Sequence, residues 1–394
     1  MERGSSEGAY GPYELGYVVH DMALSPTSGG NGAGFLACSS FIADAPNFVS
    51  ILTIDPSSVQ AVEGGGVRLS HLFPPTRLRW LTSDLLATSS DCVRVWSASG
   101  DLRTTLRHDS NPREFCTPIS SVDAHATGGK MQLASCDVYG ICALWDMERE
   151  VKQQALDLGQ PLWDVAFGPD GMLAVAGEHG DCFVVDPRQP QDVSVFSLRQ
   201  RALGPARVAW SPRQDLFAIS WQGDVGGIAL YSGDVRSQPV PPPRLLGSPG
   251  QGAAPSVADL KWSPAYPELL CCAKEDATVE VWQFPPSGLD PSTPSTAGPC
   301  FRWAPAEASA GTCTALALSG KVKRDEHFLA LATMNAKGGG NLWLATLPQP
   351  SQPCSAGDPT ESGASCRVEA ARPDDGRGVG MGACTDSADT IPCS

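Results

Sequence analysis

Basic side chains are scarce in this sequence. Its 394 residues carry 28 lysines and arginines against 43 aspartates and glutamates, which gives a formal net charge of -15. Because proteins bind nucleic acids largely by displacing counterions with lysine and arginine, we expect no direct binding to DNA or RNA. The negative charge also disfavours binding to an anionic membrane.

Long apolar runs are missing as well. No stretch of about 18 apolar residues is present that could cross a membrane as a helix, and the first residues lack the basic and apolar pattern of a secretion signal. We therefore expect a soluble protein of the cytoplasm and nucleus.

Motifs for catalysis are absent too. The sequence contains no Gly-x-Ser-x-Gly, no His-Glu-x-x-His and no phosphate-binding loop. Gly378–Ala383 spells a dinucleotide-binding fingerprint, but no predicted strand precedes it, and the fingerprint works only between a strand and a helix. We predict no catalytic residues and no cofactor.

The cysteines do not predict a metal site or disulfides. Most of the 14 lie singly in apolar runs, which is typical of small, reduced core residues. Cys136 and Cys142 flank one predicted turn, but a metal would need two further ligands there, and the chain has only six histidines. Four cysteines near the carboxyl terminus lack the two-residue spacing of zinc sites, namely Cys354, Cys366, Cys384 and Cys393.

A short apolar segment with an aromatic or aspartate near its end recurs seven times, at intervals of roughly 40 to 60 residues. Its equivalent positions are Ile54, Trp96, Trp145, Val185, Tyr231, Trp282 and Trp343. Each unit except the first also has an upstream run rich in small apolar residues, such as Leu85–Ser89, which predicts an inner strand buried on both faces. Further upstream, segments such as Arg77–Trp80 alternate with a period of two and end in a turn.

Three strands and a more variable fourth at this spacing predict an all-β, seven-bladed propeller of the WD40 type. We place the propeller at 13–347, with blades near 19–72, 76–107, 118–157, 162–198, 206–247, 256–303 and 313–347. Closure would come from a strand around Tyr13 to Val18 that pairs with the last blade. Residues 348–394 lack hydrophobic periodicity and are predicted to be a disordered tail. Pro239–Gly252 and Pro285–Pro299 are predicted to be long mobile loops.

The repeats are degenerate. Only Trp145-Asp146 has the Trp-Asp dipeptide at a repeat position. Asp91, Asp137 and Asp276 occupy the predicted turn between the second and third strands, and the sequence shows no obvious histidine partner for them. We therefore expect less regular blades.

Two segments resemble a particular family. Phe73–Trp80, with the strands that follow it, is similar to the second blade of the plant transparent-testa-glabra and animal Han11-type WD40 proteins. Glu114–Asp123 is similar to the start of their third blade, and weaker similarity covers roughly residues 13 to 284. His179 stands where the family tends to place an aspartate.

The resemblance implies a scaffold without catalytic activity. Members of the family hold dual-specificity tyrosine-regulated protein kinases, or bHLH and MYB transcription factors, and some are proposed receptors for cullin ubiquitin ligases. The sequence supports the scaffold as the main hypothesis and a ligase substrate receptor as its alternative. A propeller enzyme remains a third alternative, and it predicts a cluster of histidine and acidic residues at the inner positions of the blades.

Candidate protein-binding residues lie in two Asp-x-Arg turns that follow third strands. The pairs are Asp186 with Arg188 and Asp234 with Arg236. In cullin-receptor propellers an arginine at this position can pair with a carboxylate of the adaptor. The alternative is a salt bridge within each turn.

A proline-rich run and two phosphorylation sites complete the candidates. Pro239, Pro242 and Arg244 fit a Pro-x-x-Pro-x-Arg peptide of the kind that docks in an aromatic groove. A structural proline-rich loop is the alternative. Ser248 and Thr293 each precede a proline in the predicted loops, so proline-directed kinases could phosphorylate them.

Overall fold

The computed structural model describes residues 9–26, 34–55, 60–109, 116–197, 206–212, 216–221, 227–232, 244–246, 256–284, 299–305, 311–321, 327–335 and 338–347. Every regular element in these ranges is a β-strand, and the strands form seven antiparallel sheets of four strands each. The predicted all-β, seven-bladed propeller is confirmed.

The strands of blades one to four follow in chain order. They are β2 Val18–Leu24, β3 Gly34–Phe41, β4 Asn47–Asp55 and β5 Gln60–His71; β6 Arg77–Trp80, β7 Leu85–Ser89, β8 Val93–Ser97 and β9 Leu102–Leu106; β10 Ile119–Thr127, β11 Lys130–Asp137, β12 Ile141–Asp146 and β13 Val151–Asp157; β14 Leu162–Phe167, β15 Leu173–Gly177, β16 Asp181–Val185 and β17 Val193–Ser197.

Blades five to seven contain the remaining strands. They are β18 Ala206–Trp210, β19 Leu216–Trp221, β20 Gly227–Ser232 and β21 Arg244–Leu246; β22 Val257–Trp262, β23 Leu269–Lys274, β24 Val279–Gln283 and β25 Phe301–Trp303; β26 Thr312–Lys321, β27 His327–Met334 and β28 Gly340–Leu347, with β1 Ala9–Leu15 as the fourth strand of blade seven.

Ring closure uses the amino-terminal strand, as the sequence predicted. β1 pairs with β28, so that Tyr13 lies opposite Leu342 and Leu15 opposite Gly340. The closing strand begins earlier than expected and ends at Leu15, because Val18 already starts the first strand of blade one. A glycine is required at position 340, since a Cβ there would lie 2.2 Å from the Tyr17 carbonyl oxygen.

The innermost strands are not the ones that the sequence pattern suggested. The first strands of the blades, such as β6, β10 and β14, contact each other around the ring and line the central channel. The small-residue runs predicted as inner strands, such as Leu85–Ser89, are second strands. They are buried on both faces because neighbouring blades pack against them, and this burial made them look innermost.

Each blade is a meander, so its connections lie alternately on two faces of the ring. We call the face that carries the turns between second and third strands and the links between blades the upper face. The opposite face carries the turns after the first and third strands, and we call it the lower face.

Cores form between neighbouring blades. One of them joins Phe196 of blade four to Trp210, Phe217 and Tyr231 of blade five. The prediction of reduced core cysteines is confirmed for Cys38, Cys92, Cys142 and Cys182, which are buried and free, whereas Cys116 and Cys300 are exposed. Burial raises the pKa of the Cys142 thiol to about 12, so it behaves as a neutral apolar group.

One blade contains a histidine network that the sequence did not reveal. His108 Nδ1 lies 2.7 Å from Asp137 Oδ2, its Nε2 lies 2.7 Å from Ser135 Oγ, and the Trp145 indole donates to the same hydroxyl at 2.9 Å. The expectation that Asp137 has no histidine partner is therefore wrong. Asp91 instead accepts two hydrogen bonds from Arg94, at 2.6 and 3.0 Å.

The prediction that Pro239–Gly252 forms a long loop is wrong in part. Arg244–Leu246 forms the fourth strand of blade five and pairs with β20, with Arg244 opposite Leu230. The rest of that segment, residues 285–298 and the predicted tail 348–394 lie outside the described residues.

Candidate functional site: the central channel and the upper face

Charged residues occupy one equivalent position on most of the seven innermost strands. The position immediately precedes a buried or nearly buried apolar residue that faces the neighbouring blade. From blade one to blade seven it holds Asp21, Arg77, Ser121, Asp164, Arg207, Asp259 and Ala315. We call these residues the channel ring.

Arg77 is the centre of the channel ring. Its guanidinium donates to Asp164 through Nε at 3.2 Å and Nη2 at 2.6 Å, and its Nη1 lies 3.2 Å from Asp21 and 3.3 Å from Asp259. All four side chains are buried. One arginine on blade two therefore ties together blades one, four and six across the channel.

Each ring aspartate also holds the next blade in place. Asp21 accepts a hydrogen bond from the Leu78 amide at 2.7 Å, Asp164 from the Val208 amide at 3.1 Å, and Asp259 from the Leu316 amide at 3.0 Å. These amides lie on the exposed edge of an inner strand, where no further strand can pair with them. The carboxylates therefore satisfy backbone donors in addition to balancing Arg77.

Local backbone irregularity directs these side chains. The pairing register shifts at Asp21, Ser121, Asp164 and Asp259, as in a β-bulge. A bulge re-aims the side chain that it contains. The strands that carry Arg77 and Arg207 pair without such a shift, so bulged strands present the acids and regular strands present the arginines.

Asp164 and Arg77 each favour the charged form of the other. Burial opposes ionisation of Asp164, but the positive charges of Arg77 and Arg207 outweigh burial and lower the pKa of that carboxyl. Burial likewise opposes the charge on Arg77, and Asp164, Asp21 and Asp259 together raise the pKa of Arg77. The ring acids therefore form ion pairs and accept hydrogen bonds from backbone amides, and these interactions stabilise the ring.

A cavity of about 290 Å³ opens from the lower face towards the channel ring. Arg77 and Asp164 form part of its lining, and its wall includes the Trp210 and Trp262 side chains. Lys261 also lines it, with Nζ 3.5 Å from Asp21 and 3.7 Å from Asp259. At the rim Arg79 pairs with Asp123 at 2.9 Å. Most charged side chains that line this cavity form ion pairs with other side chains of the protein.

Exposed apolar side chains are distributed unevenly over the described residues. Five lie on the upper face and four on outer, fourth strands, whereas the lower face has none. The upper-face group consists of Phe41, Leu72, Phe73, Tyr139 and Met334. Leu72 is 67% exposed and Tyr139 is 70% exposed. We call these five residues, which belong to blades seven, one, two and three, the apolar arc.

Phe41 of the apolar arc lies beside the channel ring. The Phe41 ring lies 5.5 Å from the imidazole of His20, which immediately precedes Asp21 of the channel ring. His20 Nδ1 lies 3.2 Å from the Pro75 carbonyl oxygen, just beyond Phe73. Clustered exposed aromatic and aliphatic side chains on a rigid support are typical of protein-binding surfaces.

The Asp-x-Arg turn of blade four lies on the lower face, after the third strand. Arg188 Nε donates to Asp186 at 2.7 Å and Nη2 donates at 2.9 Å, while the arginine side chain remains 64% exposed. The structure thus forms the salt bridge within the turn and leaves the guanidinium open to solvent. Docking of an adaptor at Arg188 stays a prediction.

Most of the other predicted site residues are not among the described residues. Asp234, Arg236, Pro239, Pro242, Ser248 and Thr293 lie outside the described residues, and only the backbone of Arg244 is described, in β21. His179 is exposed in the turn that follows β15, and its amide donates to Gln160.

Sequence reasoning missed the channel ring. A signal was present, because aligning the innermost strands on Trp80, Trp210 and Trp262 places Arg77, Arg207 and Asp259 at one position. The enzymatic alternative predicted histidine and acidic residues at the inner positions of the blades, and the innermost strands do carry Asp21, Asp164 and Asp259. The acids found there are paired with Arg77 and with backbone amides.

Within the described residues, no group of three or more histidine, cysteine or acidic side chains is arranged to hold a metal ion. The same part of the chain has no helix long and apolar enough to cross a membrane.

The seven antiparallel four-stranded sheets define a seven-bladed β-propeller protein. No protein-family model matches the chain. The chain is similar to a DDB1- and CUL4-associated factor 7 homolog from Dictyostelium discoideum, with 24% identity over 284 residues, covering 69% of this chain and 83% of the relative.

Proposed function

We propose that this protein is a non-catalytic scaffold that uses the apolar arc to bind a regulatory protein. The observation that carries the proposal is the concentration of exposed apolar side chains on the upper face, around a channel whose acids are engaged within the chain. A propeller is a rigid ring with several separate surfaces. By holding two partners at once it would raise their effective concentration.

The partner classes come from the family resemblance. We propose membership of the transparent-testa-glabra and Han11-type group, with dual-specificity tyrosine-regulated kinases or bHLH and MYB transcription factors as partners. Such partners would place the protein in both cytoplasm and nucleus. Phe73, which belongs to the apolar arc, also begins the segment that most resembles this family.

Substitutions on the apolar arc test the scaffold. Leu72→Ser with Tyr139→Ser should reduce affinity for a purified kinase of this class by about tenfold or more, because exposed anchors dominate such interfaces. The matched control is Leu102→Ser with Val195→Ser, which removes two exposed apolar side chains from outer strands of blades two and four. Equal affinities of both variants and the unmodified protein would refute the role of the apolar arc.

A ligase substrate receptor is the second candidate. The name of the Dictyostelium relative associates that protein with DDB1 and CUL4, and the exposed Arg188 guanidinium lies on the face opposite the apolar arc. In this proposal the lower face binds the adaptor and the upper face binds the substrate.

Purified DDB1 tests the second candidate directly. Arg188→Ala with Arg236→Ala should abolish binding if these turns dock the adaptor. Arg149→Ala is the matched control, since Arg149 is an exposed arginine in the equivalent turn of blade three and pairs with Asp146 at 4.0 Å. Absence of DDB1 binding by the unmodified protein, at concentrations where it binds a kinase, would exclude the receptor and leave the scaffold.

A further inference from the structure

The apolar arc lies on a face whose charged side chains are mostly negative. Among the described residues, the turns and links that form the upper face carry six acidic side chains and one arginine. The acids are Asp44, Asp91, Asp109, Glu178, Glu275 and Asp276, and the arginine is Arg107. Arg94 pairs with Asp91, and Arg107 shares a link with Asp109. The other four acids have no ion pair within the described part of the chain.

Asp44 lies within the apolar arc, in the turn that follows Phe41. The buried Asn47 holds this turn, because its side chain accepts from the Ile42 amide at 2.9 Å and donates to the Ala45 carbonyl oxygen at 3.1 Å. Asp44 is exposed and has a φ of 59°, a conformation that aspartate and asparagine adopt more readily than most residues. One fixed turn therefore presents a negative charge beside an exposed aromatic ring.

Two further acids adjoin the Met334 end of the apolar arc. Met334 pairs with Thr312 in blade seven. The next residue, Cys313, donates its amide to the Glu275 carbonyl oxygen at 3.0 Å. Glu275 and the exposed Asp276 belong to the upper-face turn of blade six. Negative charge on blade six therefore borders this end of the apolar arc.

The Tyr139 end of the apolar arc adjoins the fourth acid. A Cβ at Gly140, next to Tyr139, would lie 2.9 Å from the Gln160 carbonyl oxygen, so this turn packs closely on the link between blades three and four. The next residue of that link, Pro161, accepts a hydrogen bond from the Glu178 amide at 2.9 Å. Acidic turns of blades four and six therefore border the apolar arc at its two ends.

The proposed function assigns the binding of a regulatory protein to the apolar arc, and on that basis we propose that the bound segment of the partner carries aromatic or aliphatic anchors beside lysines or arginines. The anchors bury the exposed side chains of the apolar arc, and the basic side chains pair with the acids of blades one, four and six. Complementary charge around an apolar centre speeds association and rejects segments with acidic flanks. The net charge of -15 attracts the same basic segments at longer range.

Selection from a displayed library of short random peptides tests the chemistry of the partner segment. Peptides that bind the unmodified full chain are then depleted on the Leu72→Ser, Tyr139→Ser variant, so that only peptides that need the apolar arc are kept. We expect these peptides to combine aromatic or aliphatic residues with a net positive charge above that of the unselected library.

Removal of charge at nearly constant shape tests the acids themselves. The upper-face variant combines Asp44→Asn, Glu178→Gln and Asp276→Asn. It should lower the affinity for a selected peptide by about fivefold or more at low salt, since each exposed ion pair contributes modestly. The loss should shrink at high salt, which screens exposed charges. The matched lower-face control, which should change the affinity less than about twofold, removes three exposed acids by Asp84→Asn, Glu148→Gln and Glu150→Gln.

The outcomes separate this inference from the proposed function. Recovery of no peptide that needs Leu72 and Tyr139 would overturn both, because the apolar arc would then bind no peptide. Neutral or acidic peptides that need the apolar arc would overturn the preference for basic segments and leave the apolar arc as a binding surface. An unchanged affinity in the folded upper-face variant, or equal losses in the upper-face and lower-face variants, would also overturn the role of the acids.

Discussion

The Arg77 guanidinium binds the Asp164 carboxylate through two hydrogen bonds, at 2.6 and 3.2 Å, and thereby joins blade two to blade four across the central channel. Its remaining nitrogen lies close to Asp21 and Asp259. The polypeptide chain links each blade covalently only to the preceding and the following blade. The Arg77 network also joins blade two to blades four and six, which are not its neighbours in the sequence. It closes the middle of the channel as a structural element.

Removing Arg77 should therefore destabilise the whole ring. Arg77→Met removes the guanidinium that pairs with three buried carboxylates, and breaking a buried ion pair typically costs about 3 to 5 kcal/mol. Urea unfolding should show a midpoint lowered accordingly. The control is Arg79→Met, whose exposed pair with Asp123 should contribute at most about 1 kcal/mol. Equal midpoints for the two variants would contradict the role assigned to Arg77.

His71 should make stability depend on pH. Burial, followed by the charge of Arg94, lowers the pKa of His71 from 6.5 to about 4, so the folded protein keeps the imidazole neutral. The unfolded chain takes up a proton below pH 6.5, and the free energy of unfolding should thus fall by up to about 3 kcal/mol as the pH drops from 6.5 to 4.

His71→Gln removes this titration, so the loss of stability between pH 6.5 and 4 should shrink. Denaturant unfolding at several pH values measures the slope for both proteins. His179→Gln, in an exposed turn, is the control and should leave the slope unchanged. An identical slope in the His71 variant would show that other groups cause the acid sensitivity.

Blade six lacks a hydrogen bond that blades two and seven possess. The Trp96 and Trp343 indoles donate to Thr88 and Thr333 at 3.1 Å. In blade six Cys272 occupies the position of these threonines, and Nε1 of the equivalent Trp282 has no partner among the described residues. Cys272→Thr supplies the missing oxygen in a side chain of similar volume. We expect a gain of about 1 kcal/mol in the free energy of unfolding.

Thermal unfolding measures this gain. Cys272→Val is the matched control, because it changes the shape in the same way without supplying an acceptor, and it should not raise the melting temperature. A Cys272→Thr protein no more stable than the valine variant would contradict the prediction.

Closure by β1 makes a further prediction. Deleting residues 1–15 removes the strand that pairs with β28 and exposes a long strand edge. Since single blades cannot bury their faces alone, we expect a loss of several kcal/mol or of cooperative unfolding altogether. Deleting only residues 1–8 keeps β1 and should have little effect on calorimetric unfolding. Similar melting of both truncated proteins would argue against closure by this strand.

The sequence predicted the number and order of blades because the repeated tryptophans Trp96, Trp145, Trp282 and Trp343 all lie on third strands. It failed for contacts that depend on closure of the ring. Arg77 and Asp259 are 182 positions apart, and only the ring geometry brings them together. His108 was missed because its partner Asp137 is 29 positions away, beyond the link to the next blade. The apolar arc has no sequence periodicity, since its residues come from the ends of two second strands, from a turn and from a link between blades.

The most direct test of the scaffold is quantitative co-purification from native cell extract, comparing three proteins. They are the unmodified chain, the Leu72→Ser, Tyr139→Ser variant and the Arg188→Ala, Arg236→Ala variant. The scaffold role requires that kinases or bHLH and MYB factors bind the unmodified chain and the arginine variant equally and are lost from the apolar-arc variant. Retention of these partners by the apolar-arc variant, or recovery of only DDB1 and cullin subunits that vanish with the arginines, would contradict it.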